Sequence, residues 1–499
     1  MLDGVLLGLA TVTTLENLMM VILGCAAGTI IGMLPGLGPI SAIALMIPIT
    51  YGFDPAAGMI LLAGVYYGAI FGGSTSSILI NAPGVAGTVA SAFDGYPLAA
   101  GGQPGKALAT AAYASFAGGT IAALILIVAA PSLAKISLGF QSVDYFALML
   151  LGLTLITAFA SKGQHLKALM MTCAGLMLAT VGTDLTSGVE RFTFGRMDLI
   201  DGISFLLLAM ATFALSEAIL MTIRRTGPAP VNISAGQLKL SFKEIRAIVP
   251  PISRSSILGF FVGVLPGAGA TIASFLAYGV ERNLKPITEK PEFGKGNIKG
   301  LAAPETANNA ACTGSFVPLL TLGIPGSGTT AVLLGALIAY GIQPGPRLFV
   351  DEPEIFWAVI VSMYFGNVIL LVLNLPLIPW IARLLTVPRE YLIPIIAFFS
   401  IMGVYLVSFN TFDIYLVVTI ALLAVVLRLF DYPMAPLLLG FILGDMLEDN
   451  LRRAITIGGG ELSVLWERPT TVVLFALAAL ALCSPILSSL RQRLAATHE

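Results

Sequence analysis

Charged residues are scarce in this 499-residue chain. Asp, Glu, Lys and Arg make up 11% of it and hydrophobic residues 57%, whereas soluble proteins carry about 25% charged residues. The composition therefore predicts an all-α polytopic membrane protein embedded in a lipid bilayer. Because the formal net charge is -1 and no basic surface is indicated, we expect no nucleic acid as a partner.

Histidine and cysteine are scarce as well. The chain has two histidines, and its four cysteines lie apart in apolar segments without paired spacing. We therefore expect neither a disulfide framework nor a metal site. A Walker A loop and a complete dinucleotide fingerprint are also missing from the sequence, so we expect no ATP hydrolysis and no cofactor. The chain is predicted not to be an enzyme and to have no catalytic residues.

One stretch with helix-breaking residues occurs twice. Residues 28–38 (GTIIGMLPGLG) return 231 positions later as residues 259–269 (GFFVGVLPGAG), with six of eleven positions identical. The matching positions are Gly, Pro and one Leu, which set backbone shape, so we interpret the pair as one duplicated folding unit. Irregular backbone survives in a bilayer only against protein or a water-filled cavity. The pattern favours helices that break at a site, with a purely structural kink as the alternative.

A second Pro-Gly break follows in each half, at Pro83 and at Pro325, within stretches rich in hydroxyl and amide side chains. These stretches are interpreted as a polar lining, and small residues at a helix crossing are the alternative. The substrate-binding candidates along the four breaks are Pro35, Gly36, Gly38, Ser74, Thr75, Ser76, Ser77, Asn81, Pro83, Gly84, Pro266, Gly267, Gly269, Asn308, Asn309, Pro325, Gly326, Ser327, Gly328, Thr329 and Thr330.

The broken helices indicate an anion site, because a helix N-terminus offers unpaired N–H groups and a positive dipole end. The motif stretches contain no Lys or Arg, so a substrate with several carboxylates would meet dipoles, hydroxyls and amides only. We infer that a cation, Na+ or H+, enters with the substrate. The ion-coupling candidates are Glu305, Asn308 and Asn81, and the alternative for Glu305 is a carboxylate that caps a helix.

Other acidic residues are assigned ordinary roles. Asp54 and Asp94 are expected to be solvated in loops, and Glu217 and Glu448 to be solvated at helix ends beside basic residues.

Four regions are predicted. They are an N-terminal repeat half (1–225), a cytoplasmic linker (226–246), a C-terminal repeat half (247–450) and an extension with the last transmembrane helix (451–499). About 11 to 13 transmembrane helices are expected from the apolar runs. Basic residues precede the second copy of the repeat and not the first, which favours inverted repeats.

The chain resembles a known family, the TctA large membrane subunits of tripartite tricarboxylate transporters. The resemblance covers essentially the whole chain and rests on residues 32–39 (GMLPGLGP), 72–84 (GGSTSSILINAPG), 94–97 (DGYP), 303–310 (APETANNA) and 322–330 (LGIPGSGTT). Thr306 stands where a smaller residue is expected, a minor departure.

This resemblance implies a secondary transporter of the bacterial inner membrane. It implies two protein partners, a small membrane subunit (TctB-like) and a periplasmic solute-binding protein (TctC-like). The implied substrates are di- or tricarboxylates or related organic acids, taken up with an ion gradient by alternating access. An ion channel or a structural membrane scaffold is the alternative, although polarity here is confined to two related patches.

Overall fold

The computed structural model describes residues 1–34, 37–158, 160, 164–184, 187–223, 238–284, 291–383 and 387–496. Within them one two-stranded antiparallel sheet, of β1 (Gly182–Thr183) and β2 (Glu190–Arg191), interrupts an otherwise helical chain. Eight of the described helices are long and apolar enough to cross a membrane, and six shorter apolar helices have 10 to 17 residues. The all-α polytopic class is thereby confirmed.

The first half begins with eight helices: α1 (Leu2–Val12), α2 (Leu15–Met33), α3 (Gly38–Thr50), α4 (Pro55–Ile80), α5 (Val89–Ala100), α6 (Pro104–Ser137), α7 (Ser142–Ala158) and α8 (His165–Ala179). After the sheet, α9 (Phe205–Ala209) and α10 (Ser216–Ile223) are joined by a π-helical stretch, Met210–Leu215.

The second half contains thirteen described helices. They are α11 (Phe242–Val264), α12 (Gly269–Leu284), α13 (Ile298–Gly314), α14 (Phe316–Leu322), α15 (Gly328–Ala339), α16 (Pro346–Asp351), α17 (Pro353–Asn374), α18 (Ile378–Ile381), α19 (Arg389–Ser408), α20 (Thr411–Leu429), α21 (Ala435–Ile457), α22 (Val464–Glu467) and α23 (Pro469–Ala496).

The first repeat opens with a helical hairpin. A Cβ atom added at Gly24 would lie 2.3 Å from the carbonyl oxygen of Leu61, and one at Gly32 would lie 2.2 Å from that of Ala69. Contacts that advance together in this way mean that α2 and α4 run parallel, with their backbones in close approach. The intervening α3 must therefore return in the opposite direction. Pro35 and Gly36, which join α2 to α3, lie outside the described residues.

The second repeat makes the same contacts. Gly259 and Gly263 of α11 lie against the carbonyl oxygens of Ala307 and Ala311 in α13, where added Cβ atoms would approach to 2.5 and 2.2 Å. The glycines are 231 positions after Gly28 and Gly32. Those two contact Val65 and Ala69 of α4, which match Ala307 and Ala311 of the second repeat. The break at Pro266 is thus the tip of a hairpin rather than a kink in a continuing span, and in the first repeat α3 likewise returns between the parallel α2 and α4.

The two repeats are inverted. Ser74 of α4 bonds Glu305 of α13, while Tyr67, earlier in α4, packs against Phe316 at the start of α14, which follows α13 directly, with ring centroids 5.7 Å apart. Contacts in which the residue number increases along one helix and decreases along the other identify an antiparallel pair. Because α4 and α13 are equivalent helices of the two repeats, opposite directions mean opposite orientations, as the distribution of basic residues favours.

These central helices form the core of the molecule. The most apolar 18-residue stretch of α4 is 100% buried, whereas the corresponding stretches of α19 and α20 are 22% buried. The helix α4 therefore lies at the centre of the molecule, and α19 and α20 lie at the periphery. The helix α13 packs against α6, where a Cβ atom at Gly118 would lie 2.5 Å from the carbonyl oxygen of Thr306.

The predicted region boundaries meet the helices as follows. Most of the predicted linker, residues 226–237, lies outside the described residues. The helix α11 begins within the predicted linker, because Ser241 and Glu244 form a capping box at its N-terminus. The predicted boundary after residue 450 falls inside α21.

Candidate functional site

A cavity of about 640 Å³ lies where the four helix breaks approach one another. Its wall includes residues 37–41 and 267–272, which follow the tips of the two hairpins, and residues 83–87 and 327–329, which carry the second break of each repeat. The volume is typical of a small-molecule site. We call this cavity the chamber.

Several of the described helices begin at the chamber. Three of them, α3 at Gly38, α12 at Gly269 and α15 at Gly328, begin with a glycine that lines the cavity, and α21 begins there at Ala435. Gly38 and Gly269 are equivalent positions and share a left-handed backbone, with φ of 60° and 58°, which glycine adopts at little cost. Backbone N–H groups in a first helical turn lack partners within the helix, so the chamber wall favours anions.

The second break of each repeat braces the hairpin tip of the same repeat. The N–H of Gly267 donates to the carbonyl oxygen of Gly326 at 3.0 Å. In the first repeat Gly84 lies so close to Gly32 that a Cβ atom added at Gly84 would be 2.0 Å from the carbonyl oxygen of Gly32. Side chains at these glycines would push the breaks apart.

The chamber also contains a pair of opposite charges, Arg428 and Glu217. The guanidinium of Arg428 pairs with the carboxylate of Glu217 and donates to the hydroxyl of Ser216 at 3.0 Å. Glu217 is 5% exposed, so the expectation of a solvated helix end is wrong for this residue. The expectation that a substrate meets only dipoles, hydroxyls and amides is incomplete as well, because α20 brings a cation from outside the motif stretches.

Glu305 lies fully buried in α13. Its Oε2 accepts hydrogen bonds from the hydroxyls of Ser74 at 2.7 Å and Ser115 at 3.0 Å, while its Oε1 has no partner among the described residues. The helix begins seven residues earlier and is capped by Asn297, so Glu305 does not cap it. Burial of a carboxyl group with one unpaired oxygen is costly unless its charge is neutralised or paired.

Two amides connect Glu305 to the chamber. The side-chain amide of Asn309 donates to the carbonyl oxygen of Glu305 at 2.9 Å and to the Oδ1 of Asn308 at 2.7 Å. The amide of Asn308 in turn donates to the carbonyl oxygen of Gly87 at 3.3 Å, and Gly87 lines the chamber. These bonds join the backbone of α13 at Glu305 to the chamber wall at Gly87.

The remaining hydroxyl candidates on α4 are buried, and two of them make local hydrogen bonds. Ser76 and Ser77 donate to the carbonyl oxygen of Gly73, and Ser77 also lies 2.7 Å from the hydroxyl of Thr88. Thr75 is buried at 2% exposure. None of these side chains is among the described residues that line the chamber.

Asn81 lies apart from the other ion-coupling candidates. It ends α4 in the left-handed conformation, with φ of 53°, and the equivalent Gly323 ends α14 with φ of 69°. Seven residues separate Asn81 from Ser74, the residue that bonds Glu305, and they correspond to about 10 Å along the helix axis. The structure therefore gives Asn81 a capping position and does not bring it into the chamber wall.

The described candidates fall into two sets. Those that line the chamber are Gly38, Pro83, Gly84, Gly267, Gly269, Ser327, Gly328 and Thr329. Those that do not line it are Ser74, Thr75, Ser76, Ser77, Asn81, Pro266, Glu305, Asn308, Asn309, Pro325, Gly326 and Thr330. Sequence reasoning did not identify Arg428, Glu217 or Ser115 as site residues. A charged residue inside an apolar run is the signal that could have identified the first two.

Asp94 is buried, and the expectation of a solvated loop residue is wrong. Its carboxylate accepts hydrogen bonds from the backbone N–H groups of Gly294, Gly296 and Asn297 at 2.7 to 2.9 Å and from the hydroxyl of Tyr278 at 3.1 Å. It thereby fastens α5 to the segment before α13.

The other two acidic residues differ from each other. Asp54 is exposed and caps α4 by accepting from the N–H of Ala56 at 2.9 Å. Glu448 is partly buried and pairs with Arg191 and Arg452, so it is not simply a solvated helix end.

A second cavity, of about 510 Å³, lies between the end of α6, the start of α7 and α21. Arg347 and Arg453 line it, and none of the candidate residues does.

The chain matches known proteins over most of its length. The family model described as "Tripartite tricarboxylate transporter TctA family" matches residues 18–439. An "Uncharacterized 52.8 kDa protein in TAR-I ttuC' 3'region" of Agrobacterium vitis is 43% identical over 494 residues, which cover 99% of this chain and 98% of the relative. An "Uncharacterized protein in TAR-II ttuC' 3'region" of the same organism is 44% identical over 235 residues, 47% of this chain and 96% of the relative. No solved structure matches the chain.

Proposed function

Because the chain belongs to the TctA family of tripartite tricarboxylate transporters, whose members are transporter subunits and not enzymes, we propose that it is the large permease subunit of a secondary transporter. The proposed substrates are di- or tricarboxylates or related organic acids, imported by alternating access. The observation that carries this proposal is the chamber, where residues at or next to the four helix breaks of two inverted repeats line one cavity.

The chamber suits an organic acid for two reasons. Three helix N-termini supply N–H donors and positive dipole ends, and each such contact stabilises an anion by about 0.3 to 1 kcal/mol, up to about 2 kcal/mol when partly buried. Much of the rest of the wall is apolar, including Ile40, Phe213 and Leu439, which fits the carbon skeleton of a small acid.

Uptake is proposed to be coupled to Na+ or H+ through Glu305. Its unpaired Oε1 would be satisfied by a proton or a small cation, and Asn309 and Asn308 link the backbone carbonyl oxygen of Glu305 to the chamber wall at Gly87. Filling the chamber with a polyanion beside a buried acid is electrostatically unfavourable unless that acid is neutralised. Substrate binding would therefore draw the cation into the protein.

The complete transporter is proposed to lie in the bacterial inner membrane. Its partners would be a TctB-like small membrane subunit and a TctC-like periplasmic solute-binding protein, in keeping with the family. The binding protein would select the acid and deliver it, and the chamber would recognise the carboxylate class.

The experiment is uptake of radiolabelled citrate by proteoliposomes that contain the chain, the small membrane subunit and the solute-binding protein. We expect accumulation that requires an imposed Na+ or H+ gradient, with a fixed ratio of citrate to cation. Uptake that is unaffected when both gradients are removed would contradict the coupling. Ion currents without net citrate movement would favour a channel instead.

A further inference from the structure

The chamber contains two charged lining residues within the described part of the chain, Arg428 and Glu217, and they pair with each other. We propose that Arg428 binds a carboxylate of the substrate and that Glu217 is the internal counter-ion which the substrate displaces. This inference rests on the proposed function and deepens it, because it assigns the cation that recognises the acid.

The geometry leaves Arg428 able to bind a ligand. A guanidinium carries five N–H donors in a planar fork. Among the described residues, the hydroxyl of Ser216 and one carboxylate oxygen of Glu217 accept hydrogen bonds from it. Donors therefore remain for a ligand. The side chain of Arg428 is 24% exposed and that of Glu217 is 6% exposed, so the arginine is the more accessible of the two.

Glu217 balances the charge of Arg428 in the chamber wall. Without Glu217, a half-buried guanidinium would face a ring of positive helix ends and would repel the chamber wall. With Glu217 paired to it, the two charges in the chamber wall cancel. A carboxylate substrate replaces one charge-assisted hydrogen bond of Arg428 with another, and the displaced Glu217, a buried acid beside a polyanion, is then neutralised as well.

Arg428 also completes a set of anion-binding groups. The helix N-termini at Gly38, Gly269 and Gly328 and the guanidinium belong to one cavity. A single carboxylate cannot occupy all of these positions, but the two or three carboxylates of a polyacid can. We therefore infer that Arg428 favours di- and tricarboxylates over monocarboxylates and over their esters.

The test is citrate binding to the purified full chain in lipid nanodiscs, measured by titration calorimetry. Removing the arginine in Arg428→Gln should weaken citrate binding about 30-fold or more, since loss of one partner of a buried charge pair costs at least about 2 kcal/mol. Removing the competitor in Glu217→Gln should tighten binding about tenfold, the value of one charge-assisted hydrogen bond. Trimethyl citrate should not compete in either protein.

A matched control is the ion pair of Arg254 and Glu281, which lies outside the chamber and joins a half-exposed arginine to a carboxylate that is 4% exposed. The Arg254→Gln variant should bind citrate like the wild type. Should Arg428→Gln fail to fold, Arg428→Lys keeps the charge but loses the fork, and we expect it to bind citrate with intermediate affinity.

The possible outcomes separate this inference from the proposed function. Equal citrate affinity in wild type and Arg428→Gln, or weaker binding in Glu217→Gln, would overturn the role of Arg428 and leave the transporter proposal standing. Failure of the wild type to bind citrate at any Na+ concentration or pH would overturn both.

Discussion

The residue that most needs an explanation is Glu305, a fully buried carboxyl group that two serine hydroxyls satisfy on one oxygen only. Glutamine at this position can still accept from Ser74 and Ser115, but it carries no charge and takes up no proton. We therefore expect Glu305→Gln to remove the dependence of citrate uptake on the ion gradient while citrate affinity stays within about threefold of the wild type. Proteoliposome uptake with and without the gradient measures the first effect, and calorimetry the second.

A control for this variant is Glu281→Gln, which neutralises another buried carboxylate outside the chamber. It should keep its gradient dependence. An unchanged ion requirement in Glu305→Gln would rule out the coupling role.

Asp94 gives a second prediction at this scale, on stability. Its carboxylate accepts three backbone N–H groups and one hydroxyl, and bonds to a charged acceptor are worth about 1.5 to 3 kcal/mol each. Asp94→Asn should destabilise the protein by about 2 kcal/mol or more. Asp54→Asn should change little, because asparagine caps a helix as well as aspartate does. Thermal unfolding in detergent should show a lower midpoint for Asp94→Asn alone, and equal midpoints would contradict the assignment.

Asp94 also illustrates what sequence can reveal about a single residue. The motif of residues 94–97 drew attention to it, but its donors lie about 200 positions later in a segment without a recognisable pattern. The pairing of Arg428 with Glu217 spans 211 positions in the same way. Long-range pairs of this kind are formed by tertiary packing, and local patterns contain no information about them.

At the scale of helices, both hairpins depend on glycines that allow two backbones to touch. Gly32 and Gly263 are equivalent residues, and an added Cβ atom would lie 2.2 Å from a backbone carbonyl oxygen in both cases. Gly32→Ala should force α2 away from α4, and Gly263→Ala should force α11 away from α13. We expect little folded protein for either variant by fluorescence-detected size-exclusion chromatography.

The control for these variants is Gly279→Ala. Gly279 is inside α12 and has open space around the position of its Cβ atom, so alanine should stabilise the helix by up to about 1 kcal/mol. If all three variants eluted alike as folded protein, close backbone contact would not be what holds the hairpins together.

The helix breaks themselves could be predicted, and their geometry could not. Proline and glycine at Pro266 and Gly267 disrupt a helix by local chemistry, so the positions of the breaks followed from the sequence. The reversal of the chain into a hairpin depends on the parallel packing of α11 against α13, which is a tertiary contact. Likewise Asn81 has a side chain suited to ion binding, but its left-handed backbone makes it the end of α4.

For the whole molecule, residues next to the duplicated breaks line one chamber because inversion brings equivalent helices together. The helices α4 and α13 cross in opposite directions, so polar groups from both repeats can meet inside the protein. The first repeat contributes Ser74 and the second contributes Glu305. Parallel repeats would place equivalent breaks side by side at one depth without this crossing.

Inversion makes a prediction about the two faces of the membrane. Phe53 lies in the turn before α4 and Lys295 lies before α13, so they occupy equivalent places in the two repeats, and both are exposed. In a background without the four native cysteines, Phe53→Cys and Lys295→Cys should react with a membrane-impermeant maleimide from opposite sides. Lys239→Cys, at the base of the parallel helix α11, should react from the same side as Lys295→Cys.

The positive-inside rule assigns the side of Lys239 and Lys295 to the cytoplasm. We therefore expect Phe53→Cys to be labelled in intact cells, and the two lysine variants only in inside-out vesicles. Labelling of Phe53→Cys and Lys295→Cys from one side would mean parallel repeats. In that case the helix ends at the chamber would not approach it from both halves of the membrane, and alternating access around a shared site would lose its structural basis.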